Sequence, residues 1–169
     1  MQPPPKGPRV AIVTNGGGAG VLTADEVEKS GLKLADFAPE TKEDLRRKLP
    51  PYVNISNPLD LAGDADTARY KMALDLLMVD ENIDAIIVIL LFQTISLDSS
   101  VNNVVLSAAA QNRKPIIAIS IGGQFTSINK QILESNGVPT YSSPEVAVGA
   151  LAKLTWYFRC IMQGECGPL

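Results

Sequence analysis

The sequence predicts a three-layer α/β/α sandwich built on a mostly parallel sheet, and three observations carry that prediction. Short β-branched apolar runs at Arg9–Thr14, residues 84–92 and residues 115–121 lack the alternation of a half-exposed strand, so they belong to strands buried on both faces. Segments with helical spacing of apolar residues separate these runs. A glycine-rich turn of Thr14, Asn15, Gly16, Gly17, Gly18, Ala19 and Gly20 joins the first such strand to the first such helix.

Taken in order, residues 1–8 hold four prolines and read as an extended lead-in or linker. Arg9–Thr14 is the first strand. A helix is expected over residues 19–29, with Val21, Leu22 and Val27 as its apolar positions and Gly31 just past its end, where a left-handed residue is favoured. Residues 32–36 alternate and are expected as a weak strand nearer an edge. Thr41, with an acid three residues later at Asp44, resembles a capping box and is expected to open a short helix ending near Pro50 and Pro51. A loop over residues 56–61 follows. Asp66 or Thr67 then caps a helix to about Val79, with Tyr70, Ala73, Leu74 and Leu77 on one face.

Residues 84–92 are apolar almost throughout, which marks the central strand. A helix over 98–112 leads to the strand at 115–121, which Gly122 and Gly123 end. A helix over 127–135, a short strand at 138–141 and a last helix from Pro144 to about Ile161 complete the order. The domain is therefore placed at residues 9–161, with a C-terminal tail at 162–169. Alternating elements with right-handed crossovers point to a parallel sheet of five strands, with the flavodoxin-like order 2-1-3-4-5 expected and another doubly wound order the alternative.

Composition narrows the function. At 169 residues, 46% hydrophobic and 20% charged, the chain is the size and character of one globular domain with a real core. A net charge of -3 and no basic stripe argue against nucleic acid as a partner. The longest apolar run, residues 85–92, is too short to span a membrane, and the proline-rich start lacks the apolar core of a signal peptide. Cys160 and Cys166 match no zinc pattern and fit reduced thiols, so a cytoplasmic location is expected. The chain has no histidine. That removes the commonest general base and metal ligand, and with it a Ser-His-Asp triad or a phosphohistidine on this chain. No metal site and no catalytic residue are expected here. A nucleophile is expected from another chain or domain.

In a doubly wound sheet, ligands meet the carboxyl ends of the strands where the strand order reverses. Three segments are expected at that edge: residues 14–20, residues 92–94 and residues 120–123. Glycines there admit two readings. They let backbone amides and the positive end of the following helix converge on an anion, a phosphoryl group above all, with Thr14 and Asn15 beside the cradle. They also permit a tight turn and close packing. The turn is not a P-loop, because Val21 and Leu22 follow Gly20 where that motif needs Lys and Ser or Thr. The dinucleotide fingerprint also fails, since Val21 stands at its third glycine. Asn57 and Asp60, around Pro58, either form an Asx-type turn or reach the glycine edge to support the site. Gln93, Gly122 and Gly123 are further supporting candidates, whereas Asp25 and Glu26 belong to a solvated helix face.

Several ordered motifs resemble one known family. They are VAIVTNGGGAGV from Val10 to Val21, Glu40 with Thr41, Leu49 with Pro50 and Pro51, SNPLDL from Ser56 to Leu61, and Gly63 with Asp64. Asp84 with Ala85, Lys114 with Pro115, Gly122 with Gly123, and Ser143 through Glu145 continue the series to about Trp156, while residues 160–169 match nothing recognised. The chain resembles the C-terminal flavodoxin-like domain of the α subunit of ADP-forming acyl-CoA synthetases, relatives of succinyl-CoA synthetase. The resemblance implies conversion of acyl-CoA, ADP and phosphate to acid, ATP and CoA through a phosphohistidine. It implies that residues 14–20 offer a helix N-terminus to phosphate or phosphohistidine, and that this chain alone binds no cofactor. The histidine, the CoA-binding domain and the ATP-grasp domain that takes ADP/ATP and Mg would then lie on partner domains or subunits. A stand-alone anion- or nucleotide-binding regulatory module, or a structural docking domain, are the alternatives.

Overall fold

The computed structural model describes residues 2–164. The elements in chain order are β1 (Arg9–Thr14), α1 (Gly17–Lys29), β2 (Lys33–Leu34), α2 (Pro39–Lys48), β3 (Leu59–Asp60), α3 (Thr67–Leu77), β4 (Ala85–Ile89), α4 (Val101–Ala110), β5 (Ile116–Ile119), α5 (Gln124–Ser135), β6 (Thr140–Tyr141) and α6 (Pro144–Gln163). Cys166 and the rest of the tail beyond Gly164 lie outside the described residues.

The sheet runs β2-β1-β4-β5-β6, and every pairing is parallel. The five expected strands therefore stand in the expected order. The strand count is corrected by one, because β3 also pairs with β1, through Val13↔Leu59 and Thr14↔Asp60. A two-residue strand inside a proline-containing loop has no periodicity to betray it.

β2 meets the start of β1 and β3 meets its end, so one edge of β1 is covered by two separate pieces. Asn57 bridges them. Its Oδ1 accepts the Ile12 N–H at 2.9 Å, and its Nδ2 donates to the carbonyls of Val10 at 2.7 Å and Ala35 at 3.0 Å. A side-chain amide here takes the place of a missing strand residue and satisfies backbone groups that would otherwise be buried unpaired.

Both sheet faces are covered. Val10, Ile12, Ile87, Ile89 and Ile119 pack under α1 and α6, while Ala11, Val13, Ile86, Val88 and Ala118 pack under the helices α2 to α5. That two-sided burial is why the strands read as continuous apolar runs. On α1 the buried residues are the small Gly20, Thr23 and Ala24 together with Val27, while Val21 and Leu22 point to solvent at 59% and 61% exposure. Small residues let the helix approach the sheet closely, and this reverses the burial expected from hydrophobicity alone.

Helix starts differ in part from the sequence expectation. α3 is capped as expected, with Asp66 accepting the Arg69 N–H at 2.9 Å. The capping box at Thr41 is absent, since α2 begins at Pro39 behind Ala38 and Thr41 is buried within the helix. Proline supplies the start because its fixed φ suits the first helical position. α4 begins at Val101 and α5 at Gln124, three residues later and three earlier than expected. Gly31, with φ of 80°, follows α1 as the left-handed residue expected there.

The opposite, amino-terminal edge is closed by charge and by the lead-in. Asp84 is held by the Arg9 guanidinium through bonds of 2.9 Å from Nε and from one terminal nitrogen. Lys114 Nζ donates to the carbonyls of Leu77, at 2.8 Å, and Asp80, at the end of α3. Gln2 accepts from the Ile116 N–H at 3.2 Å and donates to the Gly137 carbonyl at 3.0 Å, so residues near the start pack beneath β5.

Candidate anion-binding site

The candidate site forms where β1 ends and its chain turns into α1. Thr14 is fully buried, and its hydroxyl is taken up by the turn itself, accepting the Gly16 N–H and donating to the Gly16 carbonyl, both at 3.0 Å. Asn15, 1% exposed, is also occupied within the chain. Its Nδ2 donates to the Leu91 carbonyl at 3.0 Å and to Thr94 Oγ1 at 3.1 Å, while its Oδ1 accepts the Leu91 N–H at 3.0 Å. Neither polar side chain faces outward. The groups left to meet a ligand are backbone amides.

Gly16 occupies the N-cap of α1, no side chain caps the helix, and no acidic residue lies in its first turn. The first helical bond runs from the Gly20 N–H to the Gly16 carbonyl at 3.2 Å. The N–H groups of Gly17, Gly18 and Ala19 therefore have no partner in the helix and point along its axis with the positive end of its dipole.

The glycines differ in what they do. A Cβ on Gly16 would strike the Leu91 side chain, and one on Gly20 would lie 3.0 Å from Thr14 Cγ2 and 3.3 Å from Pro58 Cβ. The side chains of Leu91, Thr14 and Pro58 thus crowd those two positions. A Cβ on Gly18 would meet nothing within 4 Å, so the mouth of the cradle opens there.

The loop around Pro58 reaches the glycine edge through Pro58 against Gly20 and through Asp60 against Gly17, where a Cβ would lie 2.7 Å from Asp60 Oδ2. Asp60 Oδ1 accepts the Ala62 N–H at 3.0 Å. Among the described residues no hydrogen bond joins this carboxylate to the first turn of α1. It stands beside the cradle as a negative wall. Asn57 is placed differently, in the sheet edge rather than at the glycines.

Gly122 and Gly123 lie at the same carboxyl edge, where Gly123 is the uncapped N-cap of α5. Gln93 Nε2 donates to the Ile121 carbonyl and crowds Gly122, whose Cα also faces Thr126 Oγ1. β4 lies between β1 and β5, and α1 and α5 pack on opposite faces. The structure thus puts the two glycine clusters on one edge without joining them in one cradle. Among the described residues no group of three or more Cys, Asp or Glu could hold a metal ion.

One contributor escaped sequence reading. Tyr70, on the buried face of α3, places its hydroxyl 3.0 Å from Asn15 Oδ1 and 2.6 Å from the Ile89 carbonyl. Burial pushes its phenol well above the usual range, so it remains a donor. The only available signal was a hydroxyl-bearing residue on an otherwise apolar helix face.

The fold and site together define a doubly wound parallel α/β domain with a glycine-built, uncapped helix N-terminus at the carboxyl end of its first strand. The chain belongs to the Ligase-CoA domain family, whose profile matches residues 10–161. It is 42% identical over 156 residues to the α subunit of an ADP-forming acetate–CoA ligase II from Pyrococcus furiosus, covering 89% of this chain and 34% of that subunit. An ADP-forming acetate–CoA ligase I from Archaeoglobus fulgidus is 35% identical across 91% of this chain and 22% of its own length. A crystal structure of a Pyrococcus horikoshii protein superposes with a TM-score of 0.86 at 39% identity, covering 91% of this chain and 36% of that one. A dinucleotide-forming acetyl-coenzyme A synthetase from Candidatus Korarchaeum cryptofilum, in complex with phosphate and ADP, gives 0.84 at 27% identity over 99% of this chain and 37% of that one. The chain thus spans about a third or less of these relatives.

Proposed function

We propose that this chain is the domain of an ADP-forming acyl-CoA ligase that holds phosphate, or a phosphohistidine presented by another domain, at the N-terminus of α1. The observation that carries the proposal is the set of three unpaired amides on Gly17, Gly18 and Ala19, uncapped and open at Gly18. Preorganised amides stabilise a phosphoryl dianion without reorganising and without covalent chemistry. The absence of histidine from the sequence supports a phosphoryl carrier supplied by another domain. Asp60, fixed beside Gly17, disfavours a bare anion on that side and suits an N–H donor arriving with the phosphoryl group.

CoA, ADP/ATP and Mg belong, on this reading, to the other domains of the ligase. Exposed apolar side chains at the same edge support a docked partner there, namely Ile95 at 105% exposure, Phe125 at 50% and Ile128 at 52%. The test is to combine this chain with the remaining domains of such a ligase and measure ADP- and phosphate-dependent turnover of an acyl-CoA. Turnover is expected only in the combination. Turnover by the chain alone, or an assembled enzyme indifferent to Gly18→Val, would refute the assignment.

A further inference from the structure

Three consecutive glycines give the turn no stiffness of their own. A site that works by preorganisation needs its amides held in one direction, so the rigidity has to come from neighbours. On the far side Gly20 is wedged against Thr14 and Pro58. On the near side stands Asn15, the residue directly before the N-cap.

The backbone ladder between β1 and β4 ends at Thr14↔Ile89. Beyond it, the Asn15 amide pairs with both backbone groups of Leu91 at 3.0 Å and so extends the ladder past the point where the backbones part. Two further contacts remove its freedom to pivot about that pair. The remaining Nδ2 hydrogen goes to Thr94 Oγ1 at 3.1 Å, and the remaining lone pair of Oδ1 meets the Tyr70 hydroxyl at 3.0 Å. Thr94 in turn donates to the Leu91 carbonyl at 3.2 Å, and the single phenolic proton of Tyr70 lies between Asn15 and the Ile89 carbonyl. All four hydrogen-bonding valences of Asn15 are thereby used inside the chain. With Tyr70 fully buried, these bonds act in a low dielectric that strengthens them.

We infer that Tyr70 and Thr94 are positioning residues that act through Asn15 to fix the direction of the first turn of α1 and to tie it to the loop after β4. The inference rests on the phosphate-site reading of that turn and deepens it. Asn15 accordingly orients the cradle and does not bind the ligand.

The test uses the 169-residue chain with Tyr70→Phe or Thr94→Val. Thr155→Val is the control, since it removes another buried hydroxyl, one that donates to Leu151 at 2.8 Å within α6. Two quantities are read: hydrogen exchange of the Leu91 and Gly20 amides, and phosphate-induced shifts of the Gly17, Gly18 and Ala19 amides. Tyr70→Phe and Thr94→Val are expected to speed exchange at Leu91 and Gly20 about tenfold, with β5 amides unchanged, and to weaken phosphate by a similar factor. Thr155→Val is expected to match the unmodified chain in both. Exchange in the two variants no faster than in the control overturns the inference. Failure of the unmodified chain to respond to phosphate would sink the site reading alone, because exchange still decides the positioning role.

Discussion

Gly18 and Gly20 stand two positions apart in one helix and respond differently to a side chain. Gly20→Val would drive methyl groups into Thr14 and Pro58, and a loss of about 1–3 kcal/mol in urea unfolding is expected from such overpacking. Gly18→Val meets open space, so the unfolding midpoint is expected to stay close to that of the unmodified chain. In an assembled ligase the same Gly18→Val should slow phosphoryl transfer more than it weakens CoA binding. Asp60 offers the complementary case. Its carboxylate lies beside the cradle, so Asp60→Asn is expected to tighten free phosphate roughly two- to fivefold at low salt, with the gain fading as salt is added. At this scale the sequence revealed the glycines but not their separate duties, because packing against Leu91, Pro58 and Thr14 depends on residues far away in the chain. Asn15 and Asn57 were legible as polar residues near the edge. Their use as substitutes for strand backbone was not, since that follows from where β1 parts from its neighbours.

Among the elements, the buried strands β1, β4 and β5 could be read directly because burial on both faces leaves an unbroken apolar signature. The two-residue strands β2, β3 and β6 are defined by their partners, which explains why their bounds shrank or went unseen. α6 begins at Pro144 as expected, with Ser143 as a cap the sequence reading did not name, and the start of α3 was legible from the capping side chain of Asp66. The start of α2 was not, because Pro39 outranks the later Thr41. One junction between elements is open to a pH test. Lys114 joins the start of β5 to the end of α3, and burial pulls its ammonium down to about 8 from 10.5, against the attraction of Asp80 and Asp84. The folded chain therefore binds fewer protons than the unfolded chain between those values, and stability from this residue rises with pH across that window. Relative to Lys114→Met, the unmodified chain is expected to gain on the order of 2 kcal/mol between pH 8 and pH 10.5, read by denaturant unfolding at each pH. The neutral amine keeps two hydrogens for its two carbonyl partners, so the junction survives deprotonation.

At the level of the whole molecule, the chain covers 34% of a related ADP-forming acetate–CoA ligase α subunit and contains no histidine, so on the proposed reading its uncapped turn at α1 is one half of a phosphoryl site. Its carboxyl edge combines the open turn at Gly18 with exposed apolar residues at Ile95 and Phe125, which suits a face completed by another domain. Family membership was legible from the order of motifs along the chain. The site's geometry was legible only as a placement at the carboxyl edge. The most direct measurement is a phosphate titration of the isotopically labelled chain followed by amide NMR. An anion site at this turn requires the Gly17, Gly18 and Ala19 amides to shift saturably at millimolar phosphate, with Gly122 and Gly123 responding little. Flat shifts at those three residues through tens of millimolar phosphate would contradict it.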